Sequence, residues 1–218
     1  MKLKEYAKGI ENIKESLNTD NKKVFRAFDE EDHLLYHDIG SFGGGVYWDN
    51  CVFHCSKCFK QYFSMGHMKR HALKCKGLFD DGFHKITKYP KKEVEKFINL
   101  FSRMSKITQG IDFSMSSEEA IRKANKTVLF LVQDRKPIGY ITFCKRKFSE
   151  EEKISLEDFF VVEYLRRKGF GNLLFETLLK EINFYKKEDV EKNLVVNKPS
   201  VSLSKFLIKK GYLEIKVW

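Results

Sequence analysis

The chain has 218 residues, of which 42% are apolar and 33% charged, so it can form a packed core and is not a disordered polymer. No stretch approaches the roughly 20 apolar residues that a membrane-spanning helix needs, and the N-terminal region lacks the apolar centre of a secretory signal. We therefore expect an intracellular protein, of the cytoplasm or nucleus, without a membrane partner.

The formal net charge of +11 is unevenly distributed along the chain. Residues 1–50 carry a net charge of −3, residues 51–110 carry +9 and residues 111–218 carry +5. The basic middle segment suits an acidic partner, either nucleic acid or an acidic protein surface. The alternative is a lysine-rich composition that serves only solubility.

The first 50 residues are expected to form an N-terminal extension. A short charged helix is predicted over residues 2–17, because the apolar residues recur near one face. Residues 18–50 look irregular, and the glycine run at 43–45 is typical of a loop or hinge. We interpret that run as a linker rather than as a phosphate-binding loop.

Residues 51–77 contain a cysteine and histidine module. Five cysteines, an odd number with three of them clustered, favour a metal site over a disulfide framework. Four ligand-type residues occur with two, twelve and three residues between them, namely Cys55, Cys58, His71 and Cys75. This spacing suits tetrahedral zinc, with the first pair on a short hairpin and His71 on a helix. The alternative is a small core with free thiols, and His67 could compete as a ligand.

Residues 78–89 are interpreted as a linker and residues 90–218 as one domain. Its predicted elements begin with a helix that starts at Pro90 and a short helix capped by Ser116 or Ser117. They continue with a hairpin over residues 127–143 with Pro137 in its turn, a charged loop over 145–153 and a strand over 154–162. The last elements are a helix over 170–185, a strand over 190–196, a helix from Ser200 to Lys210 ended by Gly211, and a strand over 212–218. The order predicts the α/β (α+β) class, a mixed sheet with flanking helices beside a small ββα finger.

The most informative segment joins the strand over 154–162 to the following helix. It reads Arg166-Arg167-Lys168-Gly169-Phe170-Gly171. Glycines let the backbone close on a ligand, the first N–H groups of the helix are unpaired, and the helix dipole and cationic side chains attract phosphate. The pattern indicates a site for a diphosphate-bearing cofactor, although an ordinary strand-to-helix connection is the alternative.

This order and this turn resemble the GNAT acetyltransferase superfamily over residues 90–218. A closer resemblance is to alpha-tubulin N-acetyltransferases, in the run Asp158-Phe159-Phe160-Val161, in Asn197-Lys198-Pro199-Ser200 and in Lys205-Phe206-Leu207. The resemblance implies that acetyl-CoA lies along the strand, the turn and the start of the later helix. The implied cofactor-binding residues are Phe159, Phe160, Val161, Arg166, Arg167, Lys168, Gly169, Phe170, Gly171, Asn172, Ser200 and Lys205.

The residues that handle protons depart from the family pattern. The tubulin enzymes have a catalytic aspartate where this chain has Asn197 and a cysteine where it has Ser155. A replacement base is expected among Glu157, Asp158 and Glu163. We favour Glu157, because period-two alternation puts it on the face of Ser155 and a half-buried carboxylate tends to have a raised pKa. The alternative is that these carboxylates are solvated or structural.

A Cys-Cys-His-Cys finger upstream of such a domain resembles the MYST histone acetyltransferases, whose catalytic cysteine aligns near Asp158. The finger could contact nucleic acid weakly through Lys57, Lys60, Lys69 and Arg70, but a structural finger packed on the domain fits better.

Three functions follow from these patterns. The first is a protein lysine N-acetyltransferase that acts on tubulin or a histone by direct attack in a ternary complex, with the Val161 amide stabilising the oxyanion. The second is a catalytically weak or inactive CoA-binding zinc-finger module that binds protein or nucleic acid. The third, a small-amine acetyltransferase, does not explain the finger. The superfamily fold normally ends with two strands after its last helix, whereas one is predicted here. We therefore expect that the chain is truncated, or that the first 50 residues or a partner supply the missing edge.

Overall fold

The strands of the protein form two sheets, a small one around the cysteine module and a six-stranded one that carries the remaining elements. The computed structural model describes residues 1–3, 5, 27–28, 35–39, 51–87, 92–109, 126–162 and 165–218. The helices predicted over residues 2–17 and after Ser116 or Ser117, and the glycine run at 43–45, therefore lie largely or wholly outside the described residues.

The small sheet has four antiparallel strands in chain order, which are β1 (Ala27–Phe28), β2 (Leu35–Ile39), β3 (Cys51–Cys55) and β4 (Gln61–Tyr62). Helix α1 (Met65–Lys74) follows β4 and packs Met68 and Ala72 against Cys55. The predicted ββα finger is confirmed. The prediction that residues 18–50 are irregular is wrong for β1 and β2, because strand pairing with β3 is a long-range contact without a local signal.

The main sheet contains β5 (Gly82–Ile86), β6 (Thr127–Gln133), β7 (Lys136–Phe148), β8 (Glu151–Val161), β9 (Leu194–Val196) and β10 (Lys216–Val217). Strands β5 to β8 are antiparallel neighbours, whereas β8, β9 and β10 are parallel neighbours. Parallel pairs need crossovers. Those crossovers carry α3 (Phe170–Glu181), α4 (Lys187–Asn193) and α5 (Val201–Lys209).

Helices cover both faces of the main sheet, as the amphipathic patterns require. On one face lies α2 (Lys92–Gln109), whose Phe97, Ile98, Phe101 and Met104 are buried with Phe130, Tyr140 and Phe160 of the sheet. On the other face, α3 and α5 bury Leu174, Phe175, Leu178, Leu203 and Leu207 against Leu129, Ile141 and Leu156. The mixed sheet with flanking helices is confirmed. No described helix is long and apolar enough to cross a bilayer.

Gly139 of β7 allows α3 to lie close to the sheet. A Cβ atom at this position would lie 2.8 Å from Leu174 Cδ1 of α3 and 2.8 Å from the Phe160 carbonyl oxygen of β8. Any side chain here would push the helix or the neighbouring strand away. The glycine therefore fixes the distance between the start of α3 and the end of β8.

Several predicted element boundaries are wrong. The expected charged loop over 145–153 is a continuous hairpin of β7 and β8, with only Ser149 and Glu150 in its turn, because cross-strand pairing extends it. The expected linker contains β5, and the expected strand over 190–193 is the end of α4, which buries Val190. Pro137 lies in β7 rather than in the turn, which Asp134 and Arg135 form with φ values of 51° and 59°.

Residues 1–3 complete the far edge of the sheet. Lys2 forms an antiparallel bridge to Lys216, Leu3 N donates to Ile215 O at 2.9 Å, and Val217 N donates to Met1 O at 2.9 Å. Leu3 is fully buried in the core under α3 and α5. The first residues thus contact the outer edge of β10 through an isolated bridge rather than a strand, and the predicted strand over 212–218 shortens to β10.

Candidate functional site

An opening between β8 and β9 forms the centre of the candidate site. Strand β9 pairs with β8 only over residues 154–156, after which Asn197 N still donates to Leu156 O at 2.9 Å. Strand β8 then continues to Val161 while the chain of β9 turns away toward α5. Because Val162 N donates to Ile138 of β7, and successive N–H groups of a strand point to opposite edges, Val161 N–H points into the opening.

The glycine turn lies at the end of this opening. Gly169 adopts a φ of 93° as the N-cap of α3, a conformation that glycine reaches without strain. The first intrahelical bond runs from Leu173 N to Gly169 O, so the N–H groups of Phe170, Gly171 and Asn172 point out of the helix start. Lys168, Gly169 and Asn172 are exposed there. The turn therefore presents the predicted anion site at a helix N-terminus.

The two arginines of the turn have different roles. Arg166 Nε donates to Val161 O at 2.9 Å, and its guanidinium lies 5.4 Å from the centre of the Phe160 ring. This side chain thus holds the turn against the end of β8. Arg167 is exposed, with a φ of 64°, and Lys168 is exposed beside it.

Helix α5 forms the other wall of the opening. Ser200 caps it by accepting a hydrogen bond from Leu203 N at 3.2 Å, as predicted. Phe206 packs on Phe159 of β8 at 5.5 Å and on Phe175 of α3 at 5.7 Å. Lys205 is exposed. Among the described residues, the Ser204 hydroxyl is buried without a hydrogen-bond partner.

The two phenylalanines of the β8 motif point to opposite faces of the sheet. Phe159 faces α3 and α5, whereas Phe160 packs with Phe101 of α2 and is buried. By the same alternation the N–H and C=O of Phe160 point toward β7, so the polar main-chain groups that face the opening are those of Phe159 and Val161. The Phe160 side chain is thus part of the core between α2 and the sheet.

Glu157 is the centre of a buried polar cluster. Strand β8 bulges here, because Thr142 pairs with Asp158 and Phe143 with Leu156, which leaves Glu157 as an extra residue. Its carboxylate accepts from Ser155 Oγ at 2.6 Å and from Asn197 Nδ2 at 3.2 Å. The structure thus brings together three of the four predicted catalytic residues.

Two cations also contact this carboxylate. Lys126 Nζ lies 3.3 Å from Oε2, and Arg146 Nε lies 3.1 Å from Oε1. The side chains of Lys126 and Glu157 are both 0% exposed. Cys144 Sγ lies 3.7 Å from Oε1, directly across the strands from Ser155. On its outer side, Arg146 stacks on the half-exposed Trp218 ring at 4.7 Å.

The expectation of a raised pKa at Glu157 is wrong. Burial raises the pKa of this carboxyl, but the hydrogen bonds from Ser155 and Asn197 and the charges of Lys126 and Arg146 outweigh burial and lower it. Burial in turn lowers the pKa of Lys126, against the attraction of Glu157. Glu157 is consequently ionised at neutral pH and enclosed, which suits a charge that holds its neighbours in place.

Asp158 belongs to a different group of residues. It accepts a hydrogen bond from Ser105 Oγ of α2 at 2.9 Å and another from the Tyr140 hydroxyl of β7. These contacts tie β8 to α2, which agrees with the structural alternative for this carboxylate. Glu163 lies outside the described residues.

Sequence reasoning missed Lys126, Arg146 and Cys144. A signal was available for two of them, because Cys144, Arg146 and Phe148 follow a period of two and would share one face of a long strand. That signal was lost when residues 145–153 were interpreted as a loop. Lys126 had no local signal, since only the fold brings it to Glu157.

The finger brings its four predicted ligands together. One ligand atom from each of Cys55, Cys58, His71 and Cys75 lies within 4.8 Å of every other, as tetrahedral coordination by sulfur and nitrogen requires. Cys58 Sγ lies 3.1 Å from His71 Nε2. The hydrogen bond with the Cys58 thiol lowers the pKa of Cys55 to about 5. Among the described residues, His67 is not part of the cluster. The donor set therefore fits a zinc ion.

The finger is attached to the main sheet by polar and apolar contacts. Arg135 of the β6–β7 turn donates to Lys76 O at 2.7 Å, and its backbone N–H donates to Asp81 at 2.6 Å. Phe59 is buried and packs on Phe97 of α2 at 5.3 Å. The finger thus lies against the body of the protein.

The fold and the site define the class of GNAT acetyltransferases. A family model described as "GNAT acetyltransferase, Mec-17" matches residues 53–218, which is most of the chain. The chain belongs to this family of acetyl-CoA-dependent acetyltransferases, and the resemblance drawn from the β8 and α5 motifs is confirmed. No curated protein matches the chain significantly.

Solved structures with a similar fold include other acetyltransferases. A predicted acetyltransferase from Clostridium acetobutylicum, solved with acetyl-CoA, has 14% identity and a TM-score of 0.45 over 60% of this chain and 88% of its own. An integron cassette protein from V. cholerae has 17% identity and a TM-score of 0.44 over 60% and 83%. An aminoglycoside acetyltransferase from an uncultured soil sample, solved with sisomicin, has 17% identity and a TM-score of 0.41 over 60% and 86%.

Proposed function

We propose that the protein transfers acetyl from acetyl-CoA to a lysine side chain of a protein, by direct attack in a ternary complex. The observation that carries the proposal is the opening between β8 and β9, where Val161 N–H lies beside a glycine turn at the start of α3. Bound acetyl-CoA supplies the acetyl group as a thioester. The residues that would hold it are the main chain of residues 159–161, the N–H groups of residues 170–172, Lys168 and the start of α5.

The protein contributes positioning more than proton chemistry. Val161 N–H is placed to stabilise the oxyanion that forms when the amine attacks the thioester carbonyl. Asn197 is half-exposed, and its Nδ2 is held by Glu157, which leaves Oδ1 to orient the amine. Glu157 and Ser155 are enclosed and act as positioning residues. In this proposal the amine reaches the site after it has lost its proton to water.

The acceptor we propose is tubulin, with a histone as the second candidate. Membership of the Mec-17 family and the β8 and α5 motifs support tubulin. The histone candidate is supported by the MYST-like finger. Either acceptor would place the protein in the cytoplasm or nucleus.

We also propose that the finger binds one Zn²⁺ as a structural ion, supported by four soft donors in a compact cluster. A weak contact with nucleic acid is a further proposal. Residues 51–79 contain six Lys or Arg residues and no Asp or Glu, and Lys60, Arg70, Lys74 and Lys76 are exposed. One finger makes few phosphate contacts, so such binding would be weak and sensitive to salt.

The second candidate function is a CoA-binding module with little or no transfer activity. It is favoured by Asn197, which cannot accept a proton, and by the enclosure of Glu157. In both functions the opening holds the cofactor, and they differ only in transfer.

One assay separates the two functions. The purified chain is incubated with radiolabelled acetyl-CoA and with tubulin, histones or polyamines, each in a separate reaction. We expect label on tubulin lysines, with kcat/KM rising steadily from pH 6 to 9 as the amine loses its proton. Cofactor binding without any transfer would support the binding module. A plateau near neutral pH would instead identify a side-chain base and contradict the positioning role of Glu157.

The variant Asn197→Asp sharpens this test. It places a second carboxylate beside Glu157 Oε2, and like charges raise the pKa of one member of such a pair. We expect transfer to increase and to acquire a titration that wild type lacks. An unchanged pH profile would show that position 197 does not reach the amine.

A further inference from the structure

Phe59 has an unusual backbone conformation beside the metal-binding loop of the finger, which runs from Cys55 to Cys58. It follows Cys58 directly, adopts a left-handed φ of 60° and is 1% exposed. Its N–H donates to Cys55 O at 2.7 Å, and Cys55 N–H donates to Lys60 O at 3.0 Å. A bulky residue rarely has a positive φ. The backbone between the two cysteines therefore decides where the Phe59 ring points.

The ring points into the aromatic core beneath β8. Phe59 packs on Phe97 at 5.3 Å, and Phe97 packs on Phe101 of the same helix at 4.6 Å. Phe101 contacts Tyr140 of β7 at 5.9 Å and Phe160 of β8 at 5.8 Å. These rings form a continuous row from the metal cluster to the strand that borders the opening.

Helix α2 also contacts β8 through a hydrogen bond. Ser105, one turn beyond Phe101, donates to Asp158 Oδ1 at 2.9 Å. The helix thus touches β8 at Asp158 and Phe160, on both sides of Phe159. A shift of α2 would move the residues whose main chain borders the opening.

The side-chain and backbone hydrogen bonds of Arg135 connect the finger to a part of the sheet that does not pair with β8. Arg135 and Asp81 join it to the β6–β7 turn. This turn lies on the β6 side of β7, whereas β8 pairs with the other side of β7. A second contact leaves the metal-binding loop at Lys57, whose carbonyl oxygen accepts from Leu78 N at 3.0 Å, and the neighbouring Phe79 also packs on Phe97 at 5.9 Å. Both contacts therefore converge on α2, and Phe59 is the one that begins directly at a cysteine.

We propose that Phe59 is a positioning residue for the acetyl-CoA strand, through which metal binding in the finger and cofactor binding at residues 159–161 are coupled. The proposal rests on the proposed function, since it takes zinc and acetyl-CoA as the two ligands. Zinc fixes the loop from Cys55 to Cys58, the loop aims Phe59 at Phe97, and α2 then holds β8 in its cofactor-binding position. Coupling of this kind is reciprocal, so acetyl-CoA must also tighten zinc binding.

The test uses the full chain loaded with zinc and compares Phe59→Leu with Phe63→Leu. Phe63 belongs to the same finger but is 79% exposed, which makes it a matched control. Calorimetric titration with acetyl-CoA is expected to show weaker binding for Phe59→Leu, by at least about 5-fold, the lower limit of typical couplings. Phe63→Leu is expected to bind like wild type.

A second measurement separates positioning from a loss of folding. The release of zinc to a colorimetric chelator is followed with and without saturating acetyl-CoA, well below the melting temperature of each variant. Wild type and Phe63→Leu should retain zinc more tightly when acetyl-CoA is bound, and Phe59→Leu should lose this response even though it is folded. A purely structural residue would change zinc affinity without changing the response to acetyl-CoA.

The outcomes are distinct. Wild-type affinity for acetyl-CoA in Phe59→Leu, or zinc release in wild type that ignores acetyl-CoA, overturns the coupling and leaves the proposed function intact. If wild type binds no acetyl-CoA, the proposed function and the coupling both fail. If it binds no zinc, the metal proposal and the coupling both fail.

Discussion

The two ends of β8 differ in almost every physical respect. At residues 154–156 the strand has a neighbour on each edge, and the side chains of the following Glu157 and of Lys126 are shut away from solvent. At residues 159–161 the neighbour β9 has turned away, and the site consists of backbone groups, a glycine turn and exposed cations. The open end can hold a ligand without any ionisable side chain. The closed end concentrates charge where no ligand can reach it directly.

The comparison shows which part of the site tolerates sequence change. Backbone N–H groups and a helix start survive most substitutions, so the geometry of the open end does not depend on particular side chains. The closed end depends on particular side chains, and there the family's aspartate and cysteine are replaced by Asn197 and Ser155. Glu157 then links the two replaced positions through its two oxygens.

The largest expected effect comes from removing the charge at the closed end. Glu157→Ala leaves Lys126 and Arg146 without their carboxylate, and a buried pair broken in this way costs about 3–5 kcal/mol of unfolding free energy. Urea unfolding measures the loss. The control is Glu152→Ala on the same strand, whose partly exposed pair with Lys145 is worth about 1 kcal/mol or less. Equal losses in the two variants would contradict a larger stabilising contribution from the buried Glu157 than from the exposed Glu152.

The pH dependence of stability gives the next largest effect. Glu157 has a lowered pKa in the folded state, so its contribution is present above the unfolded value of about 4.3 and is lost as pH falls through the folded pKa. Glu157→Gln removes this titration. We expect the stability difference between wild type and Glu157→Gln to be constant from pH 5 to 7 and to shrink below about pH 4, at about 1.4 kcal/mol per unit of pKa shift. A difference that grows as pH falls would contradict the lowered pKa.

At the open end, Gly169→Ala tests the turn. The left-handed conformation costs a residue with a side chain about 1–2 kcal/mol, and relief of this strain would misplace the helix start. Calorimetry is expected to show weaker acetyl-CoA binding. Gly66→Ala in α1 is the control, because Gly66 has room for a Cβ and alanine favours a helix by about 0.5–1 kcal/mol. Unchanged affinity for acetyl-CoA in Gly169→Ala would show that the cofactor does not bind at this turn.

The smallest expected effect concerns exposed charge at the open end. Lys168→Ala removes an exposed cation beside the start of α3, and an exposed ion pair with an anion is worth about 0.2–1 kcal/mol. At low salt the variant should bind acetyl-CoA a few-fold more weakly than wild type. Near 1 M salt, where the screening length is about 3 Å, the two affinities should be equal. Lys180→Ala, at the other end of α3, is expected to have no effect. An equal effect of both variants would point to net charge rather than to the site.

Local signals were sufficient to predict the open end from the sequence. The Ser200 cap, the glycine turn and Gly211, which has a φ of 85° after α5, each have a chemical reason that does not depend on distant residues. Metal spacing in the finger is equally local. These features could be placed with nothing more than helix and turn chemistry.

The closed end could not be predicted, because it forms only when distant segments meet. Lys126 precedes β6, Arg146 lies in a stretch that looked like a loop, and both converge on a bulge that period-two alternation does not anticipate. Solvent-facing charges on β7 and β8 hid a long hairpin. The raised pKa expected for Glu157 was wrong for the same reason, since its value depends on partners that the sequence does not reveal.

The edge closed by residues 1–3 has a consequence for the kinetics of folding. Leu3 and Ile215 come from opposite ends of the sequence, so their hydrogen bond closes a very long loop and is expected late in folding. Contacts that form after the transition state affect the unfolding rate rather than the folding rate. Burial of the Leu3 side chain is therefore expected to slow unfolding of the native state, with little influence on the folding rate.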